Sequence, residues 1–266
     1  MYDKYNRRIN YMRISVTDRC NLRCVYCMPA EGIKLIPHEE ILNFDEIFDV
    51  AKTAVSMGVD KIRITGGEPL VRKDIVELVR MIASLDGVKD LGMTTNGIFL
   101  SKYAQQLADA GLHRVNISLD TMDPEKYKKV TRLGDINHVF KGIEAARKAG
   151  LTPVKINCVI QESQMEPDAQ AVASFCHKND LQVRFIREMD LETGQFWPVQ
   201  GGDGGECKIC NRLRLTSNGK IRPCLFSDLE YDVRKLGAEK AIMLAVGNKP
   251  RTGTISKVAK FSNVGG

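Results

Sequence analysis

Three cysteines near the N-terminus constrain this chain more than any other feature of its sequence. Cys20, Cys24 and Cys27 are spaced C-x3-C-x2-C within the segment SVTDRCNLRCVYCMP. Three thiolates at this spacing can bind three irons of a [4Fe–4S] cluster and leave the fourth iron open to a small molecule. A zinc loop or three unrelated core cysteines are the alternatives, but zinc sites favour paired C-x2-C elements, and this triplet contains one such pair. The spacing therefore predicts an iron–sulfur cluster with one open position.

The length and composition of the chain predict a cytoplasmic protein with one large core. Its 266 residues suit a single α/β barrel, and 43% of them are hydrophobic. No apolar run approaches the ~18 residues of a membrane span, and the polar N-terminal segment lacks the apolar region of a secretory signal. The eight cysteines are therefore expected to be reduced thiols. The net charge of +6 favours an anionic ligand, but Lys and Arg are spread along the chain, so we expect no membrane or nucleic-acid partner.

Short apolar β-type runs alternate with amphipathic helical segments through the first part of the chain. This order predicts an α/β fold of parallel strands joined by helices. Six strands are too few to close an eight-stranded barrel, so we predict a partial, open (β/α)6 TIM-type barrel with its site at the carboxyl ends of the strands. Asp45 is the expected N-cap of the first helix, with Phe48 and Val50 facing inward. The predicted strands are 12–16, 61–65, 89–93, 113–119, 153–159 and 181–186, and the predicted helices are 45–57, 73–84, 101–110, 137–149 and 167–178.

A second cysteine set follows a glycine-rich segment in the last third of the chain. Cys207, Cys210 and Cys224 are spaced C-x2-C-x13-C, and the dipeptide Asn218-Gly219 predicts a β-hairpin that would bring them together. Three such ligands fit a second cluster with an open iron, and they equally fit a zinc site that a fourth ligand completes. The spacing alone does not separate these two alternatives.

The two cysteine sets divide the chain into two predicted regions. Residues 1–190 form the partial barrel, and residues 191–266 form a C-terminal cluster-binding extension, with a helix over 228–247 and a Gly265-Gly266 tail. The remaining cysteines, Cys158 and Cys176, lie in a predicted strand and a predicted helix, where a free cysteine is most simply a core residue.

Several motifs resemble those of known enzymes. The first triplet, with Tyr26 before its last cysteine, resembles the signature of radical S-adenosylmethionine (SAM) enzymes. Within that group, the chain is similar over nearly its whole length to the MoaA family, the GTP 3′,8-cyclases of molybdenum cofactor biosynthesis. The segments that carry this resemblance are RISVTDRCNLRCVYCMP, KIRITGGEPLVR, TTNG, ISLDT, CNRLRL with RPCLF, and the final Gly-Gly. The resemblance implies two [4Fe–4S] clusters, SAM as cofactor and GTP as substrate.

The reaction that the resemblance implies is a radical cyclisation. One electron enters the first cluster, SAM on its open iron is cleaved, and the 5′-deoxyadenosyl radical takes a hydrogen from C3′ of GTP. The C3′ radical then attacks C8 of guanine, and a later electron and proton complete the step, while the second cluster holds the guanine end. The protein contributes positioning and the exclusion of water. The resemblance also implies an electron donor such as flavodoxin or ferredoxin and a downstream cyclic pyranopterin monophosphate synthase, and the chain could form a homodimer.

Small and polar residues follow several predicted strands and suit SAM. The two glycines of the GGEP motif allow a close backbone approach, and its carboxylate can accept a hydrogen bond from an amine. Polar groups at the carboxyl ends of strands suit hydrogen bonds to a ribose and a carboxylate, although turn capping would use the same residue types. The resemblance implies SAM contacts for Tyr26, Gly66, Gly67, Glu68, Thr94, Asn96 and Ser118.

Cationic side chains interrupt several apolar strands and indicate the substrate. Lys and Arg are rarely buried without a partner, so cations that converge inside a barrel need an anion such as a triphosphate. Salt bridges to local acids and outward orientation are the alternatives. The resemblance implies substrate binding by Arg13, Lys61, Arg63, Lys155, Arg184, Arg212 and Arg214, and support of turnover by Arg13, Arg212 and Arg214.

Two departures from the family pattern weigh against GTP. Arg184 and Cys207 are only twenty-three positions apart, whereas family members carry several tens more residues there. Arg187 also stands where the family has an acid. The retained cations favour GTP, and the short segment favours a paralogue that acts on another nucleotide or a peptide. A zinc-binding structural or nucleic-acid module would explain the second cysteine set but neither the first triplet nor GGEP, and peptide-modifying radical SAM enzymes usually carry more C-terminal cysteines.

Overall fold

A sheet of nine strands organises the computed structural model, which describes residues 1–258 and 261–264. Within these residues the strand order is β6-β5-β4-β3-β2-β1-β7-β8-β9, and the sheet stays open. The strands are β1 Tyr11–Ser15, β2 Lys61–Thr65, β3 Asp90–Thr95, β4 Arg114–Ser118, β5 Lys155–Ile160, β6 Gln182–Arg187, β7 Arg212–Leu215, β8 Lys220–Arg222 and β9 Tyr231–Asp232. The helices are α1 Phe44–Ser56, α2 Ile75–Ala83, α3 Leu100–Asp109, α4 Pro124–Thr131, α5 Ile136–Lys148, α6 Pro167–Lys178, α7 Val233–Leu236, α8 Ala238–Gly247 and α9 Phe261–Val264.

All six predicted strands and all five predicted helices of the barrel are present, each with its ends within two residues of the prediction. β1 to β6 are parallel and follow one another in sequence order. The predicted open α/β barrel is therefore confirmed. The short helix α4 was not predicted, because only Tyr127 and Thr131 are buried in it and its surface is charged.

The side-chain alternation of the strands separates an apolar face from a polar face. In β1, Met12 and Ile14 are fully buried on the side that the helices cover. Tyr11 and Arg13 point to the opposite face, because successive side chains in a strand alternate. The parallel register places Arg13 between Arg63 of β2 and Arg214 of β7. The inner face of the sheet thus carries a row of guanidinium groups.

The C-terminal region continues this sheet. The predicted hairpin is confirmed, with β7 and β8 paired antiparallel around a turn in which Gly219 adopts a φ of +82°. β7 also pairs in parallel with β1, an edge contact that the sequence did not indicate. The boundary between regions 1–190 and 191–266 stays a prediction, and the predicted Gly265-Gly266 tail lies outside the described residues.

Two local predictions were wrong. The helix predicted over 228–247 is interrupted, because Gly237 adopts a φ of +78° between α7 and α8, and β9 precedes both. The N-cap of α1 is Asn43, not Asp45: its side chain accepts from the Glu46 backbone N–H while the Glu46 carboxylate accepts from the Asn43 backbone N–H. This reciprocal capping box satisfies two donors at the helix end. Phe48 is half-buried, and Val50 is buried as predicted.

None of the helices in the described ranges is both long enough and apolar enough to cross a membrane.

The capping box of α1 should contribute measurably to stability. We expect Asn43→Ala to cost about 1 kcal/mol and to lower the unfolding midpoint by about 2–4 °C, because one helix-end donor loses its acceptor. Asp45→Ala, at the position that the sequence pattern favours, is the matched control and should shift the midpoint much less. Thermal unfolding followed by circular dichroism would measure both, and equal shifts would contradict the assignment.

Candidate active site

A cavity of about 350 Å³ at the inner face of the sheet brings the two cysteine sets together. Every residue predicted as a metal, SAM or substrate ligand lines this cavity, with the exception of Lys155. Lys155 begins β5, two residues before Asn157, which does line the cavity. Burial, followed by the charge of Arg184, lowers the pKa of Lys155 to about 8. Lys155 therefore lies close to the cationic face but outside the cavity wall.

The first cysteine set occupies a tight loop after β1. Cys20, Cys24 and Cys27 are free thiols, and the backbone N–H of Cys27 donates to the carbonyl of Cys24 at 2.9 Å. Arg132 donates to the Arg23 carbonyl at 2.6 Å and ties the loop to the end of α4. Burial raises the pKa of Cys24 to about 12 and that of Cys27 to about 11. Bound iron would reverse this effect, because a coordinating thiol loses its proton.

The glycines of the GGEP motif fit against the cysteine loop itself. A Cβ on Gly66 would lie 2.8 Å from the carbonyl oxygen of Thr17, and one on Gly67 would lie 2.4 Å from that of Arg19. The Gly67 N–H also donates to the Thr17 carbonyl at 2.7 Å. The sequence predicted that these glycines admit a ligand. In the structure, the two glycines instead allow the GGEP backbone to pack closely against the backbone of the cysteine loop. Binding of SAM by Gly66 and Gly67 stays a prediction.

Glu68 is fully buried and organises the ends of neighbouring strands. Its carboxylate accepts from the Leu70 N–H at 3.0 Å, the Thr95 hydroxyl at 2.7 Å and the Asn96 N–H at 2.7 Å. Burial raises the pKa of Glu68 to about 7 against these hydrogen bonds. The side chain of Asn96 in turn donates to Asn21 at 2.7 Å, so Glu68 connects the GGEP segment to the cysteine loop through Asn96.

Tyr26 is held by an acid that follows β4. Its hydroxyl donates to Asp120 at 2.8 Å, and the other carboxylate oxygen accepts from the Val159 N–H at 2.8 Å. Burial raises the pKa of Asp120 to about 6. This link fixes the cysteine loop to β4 and β5, and it gives Asp120 a positioning role that the sequence did not indicate.

Several buried polar atoms in the cavity wall have no hydrogen-bond partner among the described residues. They are Nε and Nη1 of Arg63, Nε of Arg184, Oγ1 of Thr94 and Oδ1 of Asn157. Buried polar groups are almost always paired in folded proteins. The wall therefore fits a ligand with anionic and polar groups at these positions. Asn157 could not be singled out from the sequence, because an Asn in a strand carries no motif.

Arg63 owes its position to a glycine on the next strand. A Cβ on Gly92 would lie 3.0 Å from Cζ of Arg63 and 3.1 Å from its Nη1. The register pairs these two residues directly. The guanidinium therefore lies across β3, where an alanine would force it to move.

Two of the predicted substrate cations already have acidic partners. Lys61 lies 3.5 Å from Asp90, and Arg212 lies 2.7 Å from Asp203. The local salt bridges that the sequence left as an alternative are present for these two residues. Asp203 was not predicted, because it lies in the glycine-rich segment without any motif.

The second cysteine set lines the same cavity. Arg7 donates to the Cys207 carbonyl at 2.7 Å, and the Thr252 hydroxyl lies 3.5 Å from the Cys207 thiol. Lys249 is buried and donates to the Arg212 carbonyl at 2.7 Å, and its charge opposes the burial that would otherwise raise the pKa of Cys210. Neither Arg7 nor Lys249 was predicted, because both act on residues far away in the sequence.

The thiols of both cysteine sets are free and half-buried. Throughout residues 1–258 and 261–264, no three Cys, His, Asp or Glu side chains form a group that could hold a metal ion. The choice between zinc and a cluster for the second set therefore stays a prediction. The buried Cys158 and Cys176 are core residues, as predicted.

Tyr11 lies among the cations at the start of β1 and was missed by the sequence analysis. Lys61 and Arg212 lie over its ring, 4.9 Å and 5.4 Å from the centroid. Burial is the largest single influence on the pKa of Tyr11 and raises it. The charges of Arg13, Arg63, Arg212 and Lys61 together outweigh burial and lower this pKa to about 7.

Comparison with known proteins places the chain among enzymes of one type. The family model described as "Radical SAM superfamily" matches residues 14–176. The chain is 43% identical to the GTP 3′,8-cyclase of Thermodesulfovibrio yellowstonii, over 89% of this chain and 88% of that protein. It is 41% identical to the GTP 3′,8-cyclase of Peptoclostridium acidaminophilum, over 94% of this chain and 92% of that protein. Among solved structures, SuiB of Streptococcus suis bound to precursor peptide SuiA matches with a TM-score of 0.67 and 16% sequence identity. The match covers 93% of this chain and 67% of the SuiB chain, and at this identity it shows a similar fold only.

The alignments also contain a gap. The alignment with the Thermodesulfovibrio protein runs over 282 positions although it uses only 89% of the 266 residues, so about 45 of its positions have no counterpart in this chain. This agrees with the short segment before Cys207.

The phenol of Tyr11 should ionise near neutral pH. The unfolded chain keeps its tyrosine protons up to about pH 10. Since the folded state releases this proton near pH 7, the contribution of Tyr11 to stability should grow as the pH rises from 7 to 10. NMR of ¹³C-labelled tyrosine would measure the titration, and Tyr11→Phe would identify the resonance. A midpoint near pH 10 would contradict the prediction.

The close contact at Gly67 should be needed for cluster assembly. We expect Gly67→Ala to lose most of the iron and sulfide of the first cluster after anaerobic reconstitution, because the added Cβ collides with the Arg19 carbonyl in the cysteine loop. Gly247→Ala is the control, since a Cβ there meets no atom within 4 Å. Iron and sulfide per chain would be measured. Wild-type content in Gly67→Ala would show that the loop can shift without losing the cluster.

Proposed function

The chain belongs to the radical SAM superfamily and, within it, to the family of the GTP 3′,8-cyclases, and we propose that it converts GTP to 3′,8-cyclo-7,8-dihydro-GTP, the first step of molybdenum cofactor biosynthesis. It is a radical SAM enzyme that uses a [4Fe–4S] cluster and SAM and takes a nucleotide substrate. The specific proposal depends above all on the row of guanidinium groups on the inner face of the sheet, in the cavity that both cysteine sets line. In this row, buried nitrogens of Arg63 and Arg184 have no hydrogen-bond partner among the described residues.

The residues at the carboxyl ends of the strands would hold the cofactor. Cys20, Cys24 and Cys27 would hold the first cluster, which together with SAM would supply the 5′-deoxyadenosyl radical for hydrogen abstraction from C3′ of GTP. Thr94, with its unpartnered hydroxyl, would bind a polar group of SAM. Gly66, Gly67, Glu68, Asn96 and Ser118 would complete this binding region, and Tyr26 would be oriented for it by Asp120.

The cationic face would hold the substrate. Arg63 and Arg184 would bind phosphate oxygens, since guanidinium groups bind phosphate through two parallel hydrogen bonds. Lys61 and Lys155 would add charge at the start of their strands. Arg13, Arg212 and Arg214 would bind the substrate and support its turnover, and the cavity wall would limit the access of water to a radical that attacks any nearby C–H bond.

The region 191–266 would bind the second cluster. Cys207, Cys210 and Cys224 would leave one iron open to the guanine, and the charge of Lys249 would favour the thiolates of Cys210 and Cys224. We further propose a cytoplasmic enzyme, with flavodoxin or ferredoxin as the electron donor and a cyclic pyranopterin monophosphate synthase as the next enzyme. A homodimer would be compatible with these roles.

The decisive experiment is anaerobic reconstitution followed by incubation with SAM, dithionite and GTP. We expect GTP to stimulate formation of 5′-deoxyadenosine and a product with the mass of GTP to accumulate, both measured by mass spectrometry. Formation of 5′-deoxyadenosine at a rate indifferent to GTP would overturn the substrate. It would then favour a paralogue that acts on another nucleotide or a peptide, which the gap of about 45 positions supports.

A further inference from the structure

The short glycine-rich loop of residues 191–206 takes part in the wall of the cavity. Phe196, Val199 and Asp203 line the cavity. The loop is tied to β6 by a pair of hydrogen bonds between Phe185 and Gln200, both at 3.0 Å, and to the C-terminal segment by the Ser256 N–H, which donates to the Leu191 carbonyl at 2.7 Å. The loop is therefore a fixed part of the cavity wall in this chain.

The two departures from the family pattern meet in this loop. The guanidinium of Arg187 lies 4.0 Å from the centroid of the Trp197 ring, and its Nε donates to the Gln161 carbonyl at 3.0 Å. An acid at position 187 could not stack on the indole in this way, because the attraction depends on a cation. The unusual Arg187 thus anchors the unusual loop.

Glycines fix the path of the loop over the cationic face. A Cβ on Gly201 would lie 2.6 Å from the Val183 carbonyl oxygen, and one on Gly202 would lie 3.2 Å from Nε of Arg184. The Val199 N–H donates to the Gly204 carbonyl at 2.7 Å and closes the turn. This turn holds Asp203 against the mouth of the cavity.

Asp203 forms two contacts with one cation. Nη2 of Arg212 donates to its carboxylate at 2.7 Å, and Nη1 of Arg212 donates to its carbonyl at 3.1 Å. The side chain of Arg212 is 13% exposed and that of Asp203 is 50% exposed, so the carboxylate can leave more easily than the guanidinium. Burial would raise the pKa of Asp203, but the charges of Arg212, Lys61 and Arg184 lower it overall. The carboxylate thus lies within the field of three predicted substrate ligands.

We propose that Asp203 is an internal competitor of the substrate, a carboxylate that occupies Arg212 until a polyphosphate ligand displaces it. The proposal rests on the proposed function for the identity of the nucleotide, but its physical content is the competition between two anions for one guanidinium. A ligand with several negative charges compensates for the lost ion pair through the neighbouring cations. Asp203 therefore weakens the binding of a polyphosphate, whereas an uncharged ligand, which leaves the ion pair in place, binds equally well with or without the carboxylate charge.

The test measures binding without turnover. The reconstituted holoenzyme is titrated by calorimetry, without a reductant, with inorganic tripolyphosphate, GTP and guanosine. Asp203→Asn keeps the shape of the side chain and an oxygen that can accept from Arg212, but it removes the charge. We expect roughly 3- to 10-fold tighter binding of tripolyphosphate and of GTP to Asp203→Asn, with guanosine unchanged.

Glu192→Gln provides the matched control. It makes the same charge change on the same loop, at an exposed residue outside the cavity wall, and should leave all three affinities unchanged. Unchanged or weaker tripolyphosphate binding in Asp203→Asn would overturn the proposal, as would an equal gain in Glu192→Gln or no tripolyphosphate binding by either protein. If tripolyphosphate responds as expected while GTP binds to neither protein, Asp203 keeps its role and the GTP assignment fails.

Discussion

Parallel pairing between β1 and β7 brings the two cysteine sets to one cavity. The first set follows the carboxyl end of β1, and two members of the second set lie just before β7. Because the two strands run in the same direction, Arg13 and Arg214 become neighbours on the inner face. Without this pairing, the hairpin and its cysteines would have no fixed relation to the first cysteine set. Two further hydrogen bonds stabilise the position of the second cysteine set. Lys249 donates to the Arg212 carbonyl, and Arg7 donates to the Cys207 carbonyl.

The inner face combines many like charges, which oppose folding. Arg63 is almost fully buried and has two nitrogens without partners among the described residues. Such groups are costly unless an anion binds. The protein reduces the cost with internal partners: Asp90 for Lys61, Asp203 for Arg212, and the depressed pKa of Tyr11 among four cations. A cationic face is thus kept in the folded state at some expense of stability, and a bound anion would relieve the repulsion.

The short loop contributes directly to the site. Arg187 and the short segment were separate departures in the sequence, and the contact of Arg187 with Trp197 joins them in the structure. The loop then supplies Phe196 and Val199 to the cavity wall and Asp203 to Arg212. It therefore contributes both apolar wall and negative charge to the cavity.

The sequence by itself determined the alternation of strands and helices, the open parallel sheet, both cysteine sets and all but one of the predicted residues of the cavity wall. These follow from local periodicity and from motifs, which depend on residues close together in the chain. Only the tertiary structure decided that β7 extends the sheet beside β1, that Gly66 and Gly67 fit the cysteine loop, and that Tyr11, Asn157, Asp203 and Lys249 belong to the site. Lys155 stays outside the wall for the same reason. Strand order and register set contacts between distant residues, and no local pattern encodes them.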